Sequence, residues 1–381
     1  MTANPSKAGI LRQLTMPAML AVIWITFSLM DAGFLSPRNL SNLMIEVSVT
    51  ATLAVGMLLV LLPGHTDLSV GMGAGLTGGV AAVLVNQQGW SAPAAMLAAL
   101  AVALVLYAGL GAFIMRYRIQ AFIATLGAML IFRGVFWQVT GSQTVLVTSG
   151  VEENLLSRLT TWRLPDAAGY GVAAVVSLFL VWLTLRSRAR WSEASLAGES
   201  GELAFLRVFT AVQGIFLTVL VCNQAQGVPL CFLVLCAVAI AVHVLIAHTR
   251  TGRYLYAIGG NEEAAVLSGI PVQRTVIIAF TLLGVVVAIT GFIATAYTGA
   301  STTTTGDLME LDAIAACVIG GTSLKGGRGS VAGALFGALI MASLLNGLTY
   351  FSVGPEMKFI IRGLVLVFAV WLDARLSRSA A

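Results

Sequence analysis

A short polar segment separates two apolar runs of this chain, and it reads His248-Thr-Arg-Thr-Gly-Arg-Tyr-Leu-Tyr-Ala-Ile-Gly-Gly-Asn-Glu-Glu-Ala-Ala-Val-Leu-Ser-Gly-Ile-Pro271. Asn261 can cap the start of a helix, and the two glutamates that follow it suit the positive end of the helix dipole. Gly269 can adopt the left-handed conformation that ends a helix. The segment therefore predicts a helix of about seven residues, which is ~10 Å long at about 1.5 Å per residue.

A helix of this length is not stable by itself in water, where about 12–15 residues are needed even for good helix formers. We therefore expect it to dock on another surface through its apolar residues, which are Ala265, Val266, Leu267 and Ile270. A membrane protein that presents such a helix at the cytoplasmic face is expected to transmit force to a soluble partner.

The composition indicates an all-α polytopic membrane protein. Hydrophobic residues make up 58% of the 381 residues and charged residues 10%, whereas soluble domains have about 25% charged residues. The mean hydropathy is +0.94, and the apolar runs continue for about 20 residues, too long for the strands of a β-barrel. The basic residues lie in short loops beside these runs, so we do not interpret the net charge of +5 as a nucleic-acid signal.

The apolar runs predict about twelve transmembrane or re-entrant helices. They cover residues 16–35, 43–63, 68–85, 94–115, 119–140, 169–185, 205–222, 229–247, 275–298, 309–322, 330–350 and 358–373. The run at 309–322 is short enough to be re-entrant. The glycine-rich run at 68–85 could be broken or tilted.

The positions of the basic residues predict that both termini are cytoplasmic. In that orientation the outside receives mainly Arg38, Arg158, Arg163 and Lys358, and most other basic residues face the cytoplasm. Residues 1–381 then form a single transmembrane domain. Its longer loops are an external loop at 141–168, a cytoplasmic loop at 186–204 and a cytoplasmic coupling loop at 248–274.

The sequence lacks the motifs of an enzyme or a nucleotide site. Lys325-Gly-Gly-Arg-Gly329 is rich in glycine but has no Lys-Ser/Thr pair to hold phosphate and magnesium. The three histidines show no metal-ligand spacing. We therefore predict no catalytic activity, no metal and no cofactor, and we expect any ATP to be bound by another chain.

Three charged residues are candidates for a polar substrate path: Asp67, Arg133 and Asp312. Charge inside a membrane span commonly marks such a path. Arg133 could instead extend to the interface, about 10 Å away. Asp67 and Asp312 could be helix-end residues beside two glycine-rich turns, and these turns echo each other in the way that interrupted segments of transporters do.

Several stretches resemble the permeases of ABC importers. Gly259-Gly-Asn-Glu-Glu-Ala-Ala-Val-Leu-Ser-Gly-Ile270 resembles their cytoplasmic coupling segment. Asp67-Leu-Ser-Val-Gly71, Phe122-Ile-Ala-Thr-Leu-Gly127 and Leu311-Asp-Ala-Ile-Ala-Ala-Cys-Val-Ile-Gly-Gly-Thr-Ser-Leu-Lys-Gly-Gly-Arg-Gly329 resemble the monosaccharide branch, which includes the ribose, xylose, arabinose and galactoside permeases. The extra helix pair at about 169–222 resembles the xylose type more than the ribose type.

This resemblance implies the permease subunit of an ATP-driven importer, which moves a monosaccharide such as D-xylose across the bacterial inner membrane. The implied partners are a cytoplasmic ATPase, an external sugar-binding protein, a second permease subunit in a homodimer, and the lipid bilayer; no nucleic acid is implied. The residues implied to contact the ATPase are Gly260, Asn261, Glu262, Glu263, Ala264, Ala265, Val266, Leu267 and Gly269. The alternatives are an ion-coupled secondary sugar transporter and a membrane scaffold or receptor.

Overall fold

The computed structural model describes residues 7–148, 153–193 and 201–378. The described residues form helices almost throughout, with two very short strands. The helices are α1 Lys7–Met30, α2 Pro37–Leu61, α3 Val70–Asn86, α4 Ala92–Tyr117, α5 Ala121–Thr140, α6 Leu155–Thr161, α7 Asp166–Glu193, α8 Gly201–Asn223, α9 Leu230–His248, α10 Arg250–Gly260, α11 Glu262–Leu267, α12 Val272–Thr298, α13 Met309–Ile319, α14 Val331–Tyr350 and α15 Pro355–Arg378. Strand β1 Val145–Leu146 pairs antiparallel with β2 Ala300–Ser301.

Eight of the described helices are long and apolar enough to cross a membrane. They are α2, α4, α5, α7, α8, α9, α12 and α14. Residues 16–30 of α1 and the whole of α3 form shorter apolar helices. The all-helical membrane class predicted from the sequence is therefore confirmed. Parts of two predicted loops, residues 149–152 and 194–200, lie outside the described residues.

The two spans singled out as irregular behave differently. The glycine-rich run forms the unbroken 17-residue helix α3. The run predicted at 309–322 forms α13, which has only 11 residues. At about 1.5 Å per residue α13 is ~16 Å long, and the hydrocarbon core of a bilayer is about 30 Å thick. This helix is therefore too short to span by itself.

The centre of the bundle is built around α2, α3 and α12. From Ala51 to Leu62 every residue of α2 and its C-cap is buried, and α12 packs on α2, α3 and α4. Ser36 caps α2 by accepting a hydrogen bond from Asn39 N (3.4 Å), with Pro37 at the first helical position. The extra pair α7 and α8 lies at the periphery, where the two helices pack mainly on each other.

Glycines on α3 allow an irregular segment, residues 299–308, to lie directly against this helix. A Cβ atom added at Gly71 would meet the carbonyl oxygen of Gly306, and one added at Gly75 would meet that of Thr305. Two glycines a helical turn apart therefore form a smooth surface that admits another backbone. The segment connects α12 to α13 inside the bundle.

Candidate functional site

Helix α11 forms with the cap and the stop that the sequence predicts. The side chain of Asn261 accepts a hydrogen bond from Ala264 N at 2.9 Å. Gly269 has φ +79°, its N–H donates to Val266 O at 2.9 Å, and Ile270 N donates to Ala265 O at 3.0 Å. This pair of bonds is the Schellman ending of a helix. The helix has six residues, against about seven predicted.

The apolar side chains of α11 do not all face outwards, which corrects one expectation. Leu267 is 89% exposed and Val266 is 56% exposed, but Ala265 is only 4% exposed and belongs to the core of this chain. Ile270 is half-buried against the same core. The expectation that Ala265 enters a pocket of a partner is therefore wrong, because this residue fixes α11 to its own chain. Val266 and Leu267 are the apolar residues that α11 offers to a partner.

Helix α10 precedes α11 and was not predicted. Thr249 caps it by accepting from Gly252 N at 3.3 Å, and Leu255 and Ile258 bury its apolar side. The glycines at 252 and 259 look like helix breakers in the sequence. A Cβ at Gly252 would meet Ile246 backbone atoms, so this glycine serves the close turn between α9 and α10. The spacing Leu255-x-x-Ile258 after a threonine was the signal that could have indicated the helix.

The two glycine-rich turns that echo each other in the sequence meet beneath α10. Gly327 N donates to Leu62 O at 2.9 Å, which joins the turn at 62–69 to the turn at 320–330. Gly64 and Gly321 have φ of +87° and +84° and occupy equivalent places in these turns. In each turn the next residue donates its N–H to a carbonyl five residues earlier, as His65 does to Val60 and Thr322 does to Cys317. The echo is therefore a repeated helix ending, the Schellman motif.

His65, in the turn at 62–69, lies beside α12. Its imidazole lies 6.3 Å from the Phe280 ring, measured between ring centroids. Burial lowers the pKa of His65, and the nearby carboxylate of Glu262 opposes this effect. Burial therefore favours the neutral form of the imidazole, which packs near the Phe280 ring of α12.

Within the bundle, Asp67 lies immediately before α3 and is completely buried. Its Oδ1 accepts from Ser69 N at 2.6 Å and from the Ser69 hydroxyl at 2.7 Å. Its Oδ2 has no hydrogen-bond partner among the described residues. The neighbouring Leu68 N donates to the hydroxyl of Thr125 at 3.1 Å, so two of the stretches that carry the family resemblance are in contact. The turn role anticipated for Asp67 is present, and one carboxylate oxygen remains unused.

Arg133 and Asp312, the other two candidate path residues, each have an acidic or basic partner. Arg133 Nη2 lies 3.6 Å from Asp307 Oδ1, and both side chains are partly exposed. Arg362 Nη2 lies 3.2 Å from Asp312 Oδ2, where the carboxylate is almost fully buried. Arg133 therefore does not extend alone towards the interface. It meets a carboxylate on the segment that precedes α13.

We define the polar cluster as the charged and phenolic side chains that connect these pairs. Its members are Asp67, Tyr107, Arg133, Asp307, Glu310, Asp312 and Arg362. Glu310 is within electrostatic range of Arg133, Asp307 and Asp312, and Tyr107 is within range of Asp67 and Glu310. The three predicted path residues therefore belong to one region of the molecule.

Sequence reasoning missed Asp307, Glu310 and Arg362. Arg362 lies inside the apolar run predicted at 358–373. A basic residue within such a run indicates a functional site and could have been noticed in the sequence. Asp307 and Glu310 lie within five residues of Asp312 in the sequence, but nothing local indicates that they face α5 and α3. In the part of the chain that the structure describes, no group of three or more His, Cys, Asp or Glu residues could hold a metal ion.

Comparison with known proteins gives one family and a set of relatives. The family described as "Branched-chain amino acid transport system / permease component" matches residues 39–370. The xylose transport system permease protein XylH of Escherichia coli is 39% identical over 360 residues, which cover 94% of this chain and 90% of that protein. XylH of Haemophilus influenzae is 39% identical over 358 residues, covering 93% and 94%. The ribose import permease protein RbsC of Escherichia coli is 35% identical over 368 residues, covering 97% and 95%. No solved structure matches the chain.

Proposed function

The chain belongs to the branched-chain amino acid transport system / permease component family, and from this membership we propose that it is the membrane subunit of an ATP-driven importer of a monosaccharide. The family and the eight apolar helices make it a multi-pass protein of the bacterial inner membrane. Its relatives are named as xylose and ribose permeases. We therefore propose that the substrate is a pentose, with D-xylose as the first candidate.

The observation that carries this proposal is the exposed, capped helix α11. Its backbone is fixed by Asn261 and Gly269, and Ala265 anchors it in the core, while Leu267 remains almost fully exposed. Burying one leucine side chain contributes about 1.5–3 kcal/mol. A leucine held rigidly in this way is suited to enter a pocket on another protein. The sequence has no nucleotide site of its own, so we propose that the partner is the ATPase and that it contacts residues 260–264, 266, 267 and 269.

The polar cluster supports a route for a neutral sugar. Non-helical backbone at membrane depth is tolerated where it is packed in protein or lines a water-filled cavity. The segment at 299–308 meets this condition on one side by packing on α3, and Thr304 and Asp307 keep part of their surface exposed. Two of its carboxylates are paired with arginines, Asp307 with Arg133 and Asp312 with Arg362, and these pairs offer hydrogen-bond donors and acceptors. We propose that Asp67, Arg133 and Asp312 lie along this route.

The remaining features of the proposal concern topology and partners. About twelve transmembrane or re-entrant helices, with both termini in the cytoplasm, would place the loop at 248–274 and both glycine-rich turns on the cytoplasmic side. The loop at 141–168 would be external, residues 186–204 would be cytoplasmic, and residues 1–381 would form one permease domain. A second permease subunit would complete the route, and an external binding protein would deliver the sugar. The activity would be transport and not catalysis.

One observation favours a second candidate, an ion-coupled secondary sugar transporter. The Asp312–Arg362 pair, whose carboxylate is buried, and Glu310, whose Oε2 has no hydrogen-bond partner among the described residues, are intramembrane ionisable groups of the kind that such transporters use. This candidate requires no ATPase, which separates it from the first.

Reconstitution in proteoliposomes distinguishes the two candidates. We expect D-xylose uptake only when the chain is combined with its ATPase and sugar-binding protein and ATP is present on the side of the ATPase. Uptake by the chain alone, driven by a proton or sodium gradient, would establish the second candidate instead. Competition with ribose, arabinose and glucose tests the substrate, and a strong preference for the hexose would refute the pentose assignment.

A further inference from the structure

We propose that Gly259 is a positioning residue for transport, through which helix α10 moves both glycine-rich turns at the same time. This inference rests on the proposed function and adds a route for the movement. Gly259 lies in the last turn of α10, two residues before Asn261 begins α11. It therefore stands between the element that meets the ATPase and the elements that enter the membrane.

At Gly259 the backbone of α10 touches two other backbones. A Cβ atom added at Gly259 would meet Leu62 O in the first turn and Gly327 N in the second. One added at Gly326 would lie 2.8 Å from Gly259 Cα and 2.8 Å from Gly64 N. The backbones of three segments therefore meet at one point, and no side chain separates them.

Hydrogen bonds hold the same three segments together. Gly327 N donates to Leu62 O at 2.9 Å, which joins the two turns. The Tyr256 hydroxyl, one helical turn before Gly259, donates to Gly329 O at 2.8 Å and joins α10 to the second turn. Gly326 and Gly327 have φ of +89° and +73°, a conformation that other residues adopt at a cost. The contact therefore depends on glycine at several positions.

Each turn leads to a different part of the polar cluster. The turn at 62–69 contains Asp67 and continues into α3. The turn at 320–330 follows α13, which carries Glu310 and Asp312. A displacement of α10 is therefore passed to α3 through the first turn and to α13 through the second. These two helices lie on either side of the segment at 299–308. Closely packed backbones have low compressibility, so the displacement is passed on and is not absorbed by side-chain movement.

The test compares two glycine-to-alanine variants in the full chain, assembled with its ATPase and sugar-binding protein. Gly259→Ala adds a methyl group where three backbones meet. Gly214→Ala, on the peripheral helix α8, adds one where, apart from the helix's own backbone, no described atom lies within 4 Å. We expect Gly259→Ala to retain ATPase co-purification but to lower sugar-stimulated ATP hydrolysis and uptake by about 10- to 100-fold, since a misplacement of about 1 Å can have this effect. Gly214→Ala should leave both unchanged.

A second variant decides the matter if Gly259→Ala does not fold. Tyr256→Phe removes the bond to Gly329 without adding volume, and we expect about threefold less uptake with ATPase binding unchanged, as for the loss of one hydrogen bond. Normal uptake in a well-expressed Gly259→Ala variant, or in Tyr256→Phe when the first is unfolded, would overturn the inference. Absence of ATP-driven uptake by the unmodified chain would instead refute the proposed function, so the two failures are distinguishable.

Discussion

Helix α11 and the polar cluster keep their functional side chains in place by opposite means. In α11 the neighbouring residues Asn261 and Gly269 fix the backbone, and Leu267 faces outwards. In the polar cluster Asp312 is buried, and its partner Arg362 comes from a different helix. Local bonds allow a residue to be changed without disturbing the rest of the fold. Pairs between distant helices make function and stability depend on the same atoms.

The largest effect is expected at the Asp312–Arg362 pair. Removing one partner of a buried ion pair leaves an uncompensated charge and costs about 3–5 kcal/mol. Arg362→Leu should therefore lower the thermal stability of the purified protein strongly, whereas the double variant Arg362→Leu with Asp312→Leu should recover most of it. Thermal unfolding in detergent or nanodiscs measures both. Equal stability of Arg362→Leu and the unmodified chain would mean that distant pairs do not hold this region together.

The next effect is expected at Leu267 and concerns partner binding. Leu267→Glu should leave membrane level and thermal stability unchanged but weaken ATPase binding by about 10- to 100-fold, because the contribution of one buried leucine, ~1.5–3 kcal/mol, is lost. Ala265→Glu should instead reduce the amount of folded protein, since it places a charge in the core. Pull-down of the ATPase with membrane levels checked by blot measures the difference. If the two variants behaved alike, the residues of α11 that bind the ATPase would not be distinct from those that stabilise the fold.

A smaller effect is expected at Gly269. Gly269→Ala forces a residue with a Cβ into the left-handed conformation, which costs about 1–2 kcal/mol. Amide hydrogen exchange of residues 261–270 should become faster while exchange in α2 stays the same. Gly109→Ala on α4 is the matched control, because among the described residues nothing but the helix's own backbone lies within 4 Å of the added methyl group. Accelerated exchange across the whole bundle would show that α11 is not locally held.

The smallest effect is expected at the partly exposed Arg133–Asp307 pair. An exposed ion pair contributes about 0–1 kcal/mol to stability, so Arg133→Gln should unfold at nearly the same temperature as the unmodified chain. Sugar uptake should fall by about fivefold, equivalent to ~1 kcal/mol. The exchanged pair, Arg133→Asp with Asp307→Arg, should restore part of the uptake. Full uptake by Arg133→Gln would remove this pair from the proposed route.

The same contrast explains how much could be predicted from the sequence. The cap at Asn261 and the stop at Gly269 depend on residues within one helical turn, so both were predicted correctly. The partners of Arg133 and Asp312 were not, because they depend on which helices become neighbours. The burial of Ala265 was missed for the same reason: a six-residue helix has no periodicity that identifies its inner side.

The glycines show a similar limit. Composition alone indicates close packing of helices, but it does not distinguish a glycine that breaks a helix from one that admits another backbone. Gly252 and Gly259 lie within the coupling loop predicted at 248–274 and are part of α10. The run at 68–85, for which a broken or a tilted span was considered, forms the continuous helix α3. In each case the reason is the tertiary contact made at the glycine.

The short length of α13 has a consequence for the entry of the chain into the membrane during its synthesis. With 11 residues and two acidic side chains in its first turn, α13 is neither long nor apolar enough to be inserted as an independent span. We therefore expect α13 to enter the membrane together with its neighbours in sequence, α12 and α14. Asp312 gains its counter-ion only when α15, which is synthesised later, brings Arg362. A nascent chain that still lacks α15 therefore carries Asp312 without its counter-ion.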